Sequence, residues 1–228
     1  MLFFAACCKE KPLADRVIEN LEDCMGAREV TEEEYEELKR KNGLFPMDFM
    51  SFLQQENVYL VFKEEDLKIV NMDLSYYVKE EVEIKNALIF KYNNDIDNMN
   101  THATAFLYEF ASDEDADKFM EYIDEVREDY LSRVKENKIA QGIYPDDRKL
   151  GIEEGENYVY QVVSSEMNGK SNDSIYLYKS DRQVMEVHYN GYEDNELYPK
   201  FKKFLKKMKF EGLNDIELEY AEPQSAEE

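Results

Sequence analysis

Residues 103–134 read ATAFLYEFASDEDADKFMEYIDEVREDYLSRV, and the change of rhythm inside this stretch decides the fold. From Ala103 to Phe110 the composition is that of a strand. Ser112 then offers an N-cap oxygen, and Asp113, Glu114 and Asp115 fill a first turn where the helix dipole favours acids. Beyond it Ala116, Phe119, Met120, Ile123, Val126, Tyr130 and Val134 recur at helical spacing over more than four turns, which predicts a long amphipathic helix.

Reading outward, the same two patterns repeat. Upstream, Ala87-Leu88-Ile89-Phe90 reads as a strand, and Val58–Phe62 as a buried strand or a continuation of the core that Met47, Met50 and Leu53 belong to. Residues 13–25 form an amphipathic helix closed at Gly26, with Cys24 on the apolar stripe of Leu13, Val17, Leu21 and Met25. Thr31 and Glu34 make a capping box for a second helix that stops at Asn42-Gly43. Pro46 opens a short helix carrying Met47, Met50 and Leu53. Downstream, a loop through Gly142, Pro145 and Gly151 leads to strands at Tyr158–Val163, Ile175–Tyr178 and Gln183–Tyr189. Asn168-Gly169 and Ser180-Asp181 mark the turns between them. A last helix, 195–209, lines up Leu197, Phe201, Phe204, Leu205 and Met208. The expected fold is α+β, an antiparallel or mixed sheet with helices mainly on one face. One domain should cover 13–210, preceded by a tether and followed from Glu211 by an acidic tail with seven acids and no Lys or Arg.

Composition narrows the function. The 228 residues are 43% apolar and 35% charged, with a formal net charge of −24. Such a chain repels nucleic-acid backbones, so no nucleic-acid partner is expected. Its 17 Tyr and 13 Phe supply the apolar anchors that disordered chains lack. No apolar run approaches the length of a membrane span.

Candidate chemistry is sparse. The two histidines, His102 and His188, have no partner at metal-ligand spacing, and each is expected at a surface or incidental position. Asn93, Asp95 and Asp97 alternate as in a calcium loop, but Asn98 and Thr104 stand where that loop needs glycine and glutamate. Asp113, Asp115 and Asp117 alternate on a helix, where side chains do not converge on one ion. Phosphate-binding and nucleophile-elbow motifs are absent. A non-catalytic protein without metal or cofactor is the expectation.

Two surfaces and one terminus remain. Lys200, Lys202, Lys203, Lys206 and Lys207 crowd the last helix, a local reversal of sign that suits an anionic partner. Tyr158, Tyr160, Tyr176, Tyr178, Tyr189 and Tyr192 fall on β-rich runs, either as ordinary sheet packing or as a contact face for a peptide or glycan. At the start, Phe4-Ala5-Ala6-Cys7 resembles the lipobox of a bacterial lipoprotein. That resemblance implies a diacylglycerol on Cys7, with Cys8 to Pro12 as tether and a signal extending upstream of Met1.

A second resemblance points the same way. Thr104-Ala105-Phe106-Leu107-Tyr108-Glu109-Phe110, then Arg127, Tyr144-Pro145 and Gly155-Glu156-Asn157-Tyr158-Val159, follow the order seen in a family of uncharacterised lipoproteins from Gram-positive bacteria. The similarity spans about residues 72–165 and implies no catalytic residues. Together these features lead to an expected membrane-anchored envelope lipoprotein on the outer face of the cytoplasmic membrane. Its role would be binding an envelope protein or wall polymer. The alternative is a cytoplasmic acidic inhibitor of the immunity type, covering the basic site of a partner.

Overall fold

The computed structural model describes residues 11–42, 57–78, 81–92, 101–140, 149–165, 171–208 and 219–220. The expected helix at the start appears as α1 (Leu13–Asn20), which widens into a single π-helical stretch, Leu21–Met25. Gly26 ends it in the left-handed conformation (φ +68°), where its N–H and that of Ala27 reach the carbonyls of Glu22 and Leu21. A two-residue strand, β1 (Arg28–Glu29), leads to α2 (Glu32–Asn42). The capping box of α2 is complete: the Glu34 carboxylate accepts from the Thr31 N–H at 2.8 Å, and the Thr31 hydroxyl accepts from the Glu34 N–H at 3.3 Å. The paired Arg28 guanidinium, helped by Thr31, pulls the Glu34 pKa down to about 2.

Then follow β2 (Val58–Val61), α3 (Leu67–Val78), β3 (Ile84–Tyr92) and β4 (His102–Phe110). The long helix α4 (Asp113–Ala140) begins as expected, with the Ser112 hydroxyl accepting from the Asp115 N–H at 3.1 Å. After it come β5 (Lys149–Glu154), β6 (Tyr158–Ser165), β7 (Ser171–Ser180), β8 (Gln183–Tyr192), α5 (Leu197–Met208) and β9 (Glu219–Tyr220). Gly151, expected in a loop, lies inside β5. The strand β9 falls within the stretch expected to be an acidic tail and pairs with β5. Met47, Met50 and Leu53 with their short helix, and the Asn168-Gly169 turn, lie outside the described residues.

Among the described residues the strands form one nine-stranded sheet in the order β1-β2-β3-β4-β8-β7-β6-β5-β9. There β1 and β2 run parallel and the other pairings are antiparallel, so the sheet is mixed and the fold α+β. The expectation of helices mainly on one face needs correction. Alternate residues of β3 enter different cores: Leu88 and Phe90 pack with α1, the π-helical stretch and α5, whereas Ala87 and Ile89 pack with α2, α3 and α4. The physical reason is that the central strands are apolar on both faces. A sheet face of that kind must be covered on each side.

The tyrosine question is settled by the same alternation. Tyr158, Tyr160, Tyr176 and Tyr189 are buried in the first core, with Tyr178 packed against it. Tyr189 lies 5.2 Å from Phe201 of α5, and Tyr158 stacks on Tyr176 at 6.1 Å. These rings are sheet packing under a helix, not an open platform.

Candidate functional site

The basic helix α5 has two sides. Leu197, Phe201, Phe204, Leu205 and Met208 are all buried, an apolar line that fixes the helix on the sheet. The five lysines occupy the remaining arc, because their positions fall between the apolar ones at 100° per residue. Two of them help to hold α5 in place. Lys207 pairs with Asp23 of the π-helical stretch at 2.7 Å, and Lys200 pairs with Glu196 at 3.7 Å while lying over the Tyr92 ring. Lys202 lies 5.9 Å from the Tyr160 ring centroid. Lys202, Lys203 and Lys206 are exposed, and none of the three has an ion pair among the described residues. The same contact region joins α5 to α1 directly, through the Asn20 amide donating to the Met208 sulfur at 3.1 Å.

A second polar cluster lies on the opposite face of the sheet, where sequence reasoning expected only incidental residues. His188 of β8 is three-quarters buried, and its Nε2 lies 2.5 Å from a carboxylate oxygen of Asp173 on β7. His102 of β4 meets the His188 ring edge to face, with centroids 5.5 Å apart. Lys91, a residue 8% exposed overall, and Thr104 share this face, as the register sets Lys91 beside Thr104 and Thr104 beside His188. Glu186 is two residues along β8 from His188.

The environment drives these groups apart. Burial opposes the charged form of His188, but the hydrogen bond and charge of Asp173, with Glu186 behind, outweigh it and raise its pKa above the ordinary value. His102 goes the other way, down to about 4, through burial and then the positive charges of His188 and Lys91. Burial raises the Glu186 carboxyl and lowers the Lys91 ammonium. Chemically this is a histidine–carboxylate pair beside a lysine and a hydroxyl, with no nucleophile hydrogen-bonded to the imidazole among the described residues. Nor do three His, Cys, Asp or Glu side chains converge as metal ligands among those residues.

Other expected positions fall elsewhere. Cys7 and the Asn93, Asp95 and Asp97 run lie outside the described residues. Asp113 and Asp115 stand in the first turn of α4, and Asp117 pairs with Lys179 at 2.6 Å. Cys24 is buried on the α1 side, as its stripe implied. The sheet-face cluster did leave a signal in the sequence: Lys91, His102, Thr104, Glu186 and His188 are polar residues at alternate positions in otherwise apolar strands.

No protein-family model matches this chain, and no curated protein matches it. Among solved structures it is similar to the extracellular domain of PknH from Mycobacterium tuberculosis, with a TM-score of 0.32 and 10% identity. The match covers 54% of this chain and 62% of that one, so it spans less than two thirds of the PknH domain. A likeness at this level carries no argument about function.

Proposed function

We propose that this protein is an envelope domain held at a bacterial membrane by a lipid on Cys7, with a binding role and no catalytic one. The lysine face of α5 is its contact surface for an anionic headgroup, wall polymer or envelope protein. The observation that supports this reading is the packing of α5 on α1 and its π-helical continuation, through Asp23–Lys207 and Asn20–Met208. The chain from Cys7 to Pro12 can reach at most about 20 Å at ~3.3 Å per residue. An anchor at Cys7 therefore keeps α1 near the bilayer, and α5 with it. The rest of the surface is strongly acidic and is repelled by an anionic layer, so the basic helix is the side that such a layer attracts.

Expression from the native locus in a Gram-positive host tests the anchor. The protein should partition with membranes, and intact mass should show a mature chain starting at diacylated Cys7, since two acyl chains hold stably where one does not. Cys7→Ser should abolish lipidation and processing, and Cys8→Ser should leave both intact. An unmodified Cys7 in a cytosolic protein would overturn the reading in favour of the acidic inhibitor.

A further inference from the structure

A cleft of about 700 Å³ opens between α3, the residues leading into β3 and the first turns of α4. These elements belong to the core on the side of the sheet away from α1 and α5, so the proposed anchoring does not use it. Its volume falls within the range of small-molecule sites, about 300–1,000 Å³. One wall is a single row of α3: Lys68, Asn71 and Met72 stand three and four residues apart and share a face. Glu81 and Asp115 bring carboxylates to the cleft, and Val82, 3% exposed, is the most buried of its lining residues.

The charges divide into paired and available ones. Lys118 pairs with Glu114 at 3.1 Å, and Glu83 pairs with Lys85. The side chains of Lys68, Glu81 and Asp115 make no hydrogen bond or ion pair among the described residues. The Asn71 side-chain oxygen accepts from the Ile84 N–H at 2.6 Å, which orients the amide and leaves its NH2 group as a donor. Met72 is 57% exposed, more than any other large apolar side chain among the described residues. Methionine there gives the cleft an adaptable apolar surface.

We propose that this cleft binds a short basic peptide that ends in a free carboxylate. The Lys68 ammonium and the Asn71 amide hold the carboxylate. The two ammonium groups, one at the peptide's N-terminus and one on a lysine side chain, meet Glu81 and Asp115. The methylene stem of that lysine packs on Met72 and Val82. Charge selects the class: one available cation and two available carboxylates match a ligand with one carboxylate and two ammonium groups. Phosphate or an acidic peptide meets the reverse balance. Among the described residues no three His, Cys, Asp or Glu side chains gather as metal ligands, so these acids do not converge on an ion. The cleft is independent of the anchor at Cys7, and failure of either reading leaves the other intact.

Titration of the full chain, with isotope-labelled methionine methyls, by the dipeptide Ala-Lys tests the assignment. The Met72 methyl resonance, identified by its loss in Met72→Leu, should shift in a saturable way. Ala-Glu and inorganic phosphate, at matched ionic strength, should leave it in place. Lys68→Met should weaken Ala-Lys binding about fivefold, the worth of one exposed ion pair, and amidation of the dipeptide's carboxylate should weaken it as much. Glu81→Lys, which reverses the charge at the ammonium end, should abolish the shift. Both variants should melt as the native chain does, because Lys68 and Glu81 are exposed. No saturable shift with Ala-Lys, an equal shift with Ala-Glu, equal binding of the amidated dipeptide, or unchanged affinity in either variant would each overturn the assignment. A variant that lost its fold would overturn it too, since that side chain would then be holding structure rather than standing available.

Discussion

His102 and His188 sit 5.5 Å apart on neighbouring strands and take protons at opposite ends of the imidazole range. Among the described residues the charged groups around them are Lys91, Asp173 and Glu186, and His188 is the one that touches a carboxylate. Proton NMR of the ring C2 hydrogens should show His102 titrating near pH 4, and His188 above the ordinary value of about 6.5. Asp173→Asn should drop the His188 pKa while leaving His102 low. The stability consequences have opposite signs. His188 has a raised folded pKa, so its contribution is full below about pH 6.5 and is lost as pH rises through that folded value. His102 has a lowered one, so stability falls as pH drops from about 6.5 to about 4, by on the order of 3 kcal/mol. The two residues together favour a stability maximum near pH 6.5. The sequence made part of this legible. Strand alternation separates Glu186 and His188 from Met185, Val187 and Tyr189, and the structure keeps that division. What no local pattern carries is the meeting of His188 with Asp173 and His102, because β7 and β4 reach β8 only through sheet pairing.

The long helix shows the same limit for whole elements. Ser112, the acidic first turn and the line through Ala116, Phe119 and Ile123 behave as their spacing implies. One turn further on, Val126 is 47% exposed and Arg127 only 6%. Arg127 stands four residues past Ile123 and seven past Met120, so it lies closer to the centre of the buried line than Val126 does. Its guanidinium bridges Asp124 at 3.1 Å, Glu128 at 3.2 Å and Glu154 of β5 at 3.1 Å. Hydropathy alone ranks Val126 above Arg127, and it misses that a long charged side chain can pack its stem while its head finds acids. The acids are half to two-thirds exposed and can return to water, which limits the cost of losing the cation. Arg127→Ala should therefore cost about 1–2 kcal/mol in urea unfolding. Arg127→Met, which restores the stem, should recover most of that loss. An equal loss in both would place the energy in the ion pairs rather than the packing. β5 was hidden for a related reason: Lys149–Glu154 has a glycine and two acids, and becomes a strand by lying between β6 and β9.

At the scale of the molecule, charge is unevenly placed. A chain of net charge −24 gathers five lysines on the outer arc of one helix. Cys7→Ser protein, freed of any lipid, should bind vesicles rich in anionic lipid weakly and release them as salt rises, since the Debye length is about 10 Å at 0.1 M. Lys202, Lys203 and Lys206 all reversed to Glu should abolish that binding with little change in melting temperature, because all three are exposed and off the apolar line. Equal binding by the reversed protein would remove α5 from the contact surface. The sheet itself adds a last consequence. Its two outermost strands, β1 and β9, are two residues long, whereas the ten-residue strands β7 and β8 are paired on both sides. A visiting peptide that docks as an extra strand needs a long row of unclaimed N–H and C=O groups. Among the described residues, β9 covers only Lys149 and Leu150 of β5, so at that end an added strand has the short outer edge of Gly151–Glu154 to pair with. A visitor of that kind would gain few backbone hydrogen bonds there, and charge and shape would carry the rest of its recognition.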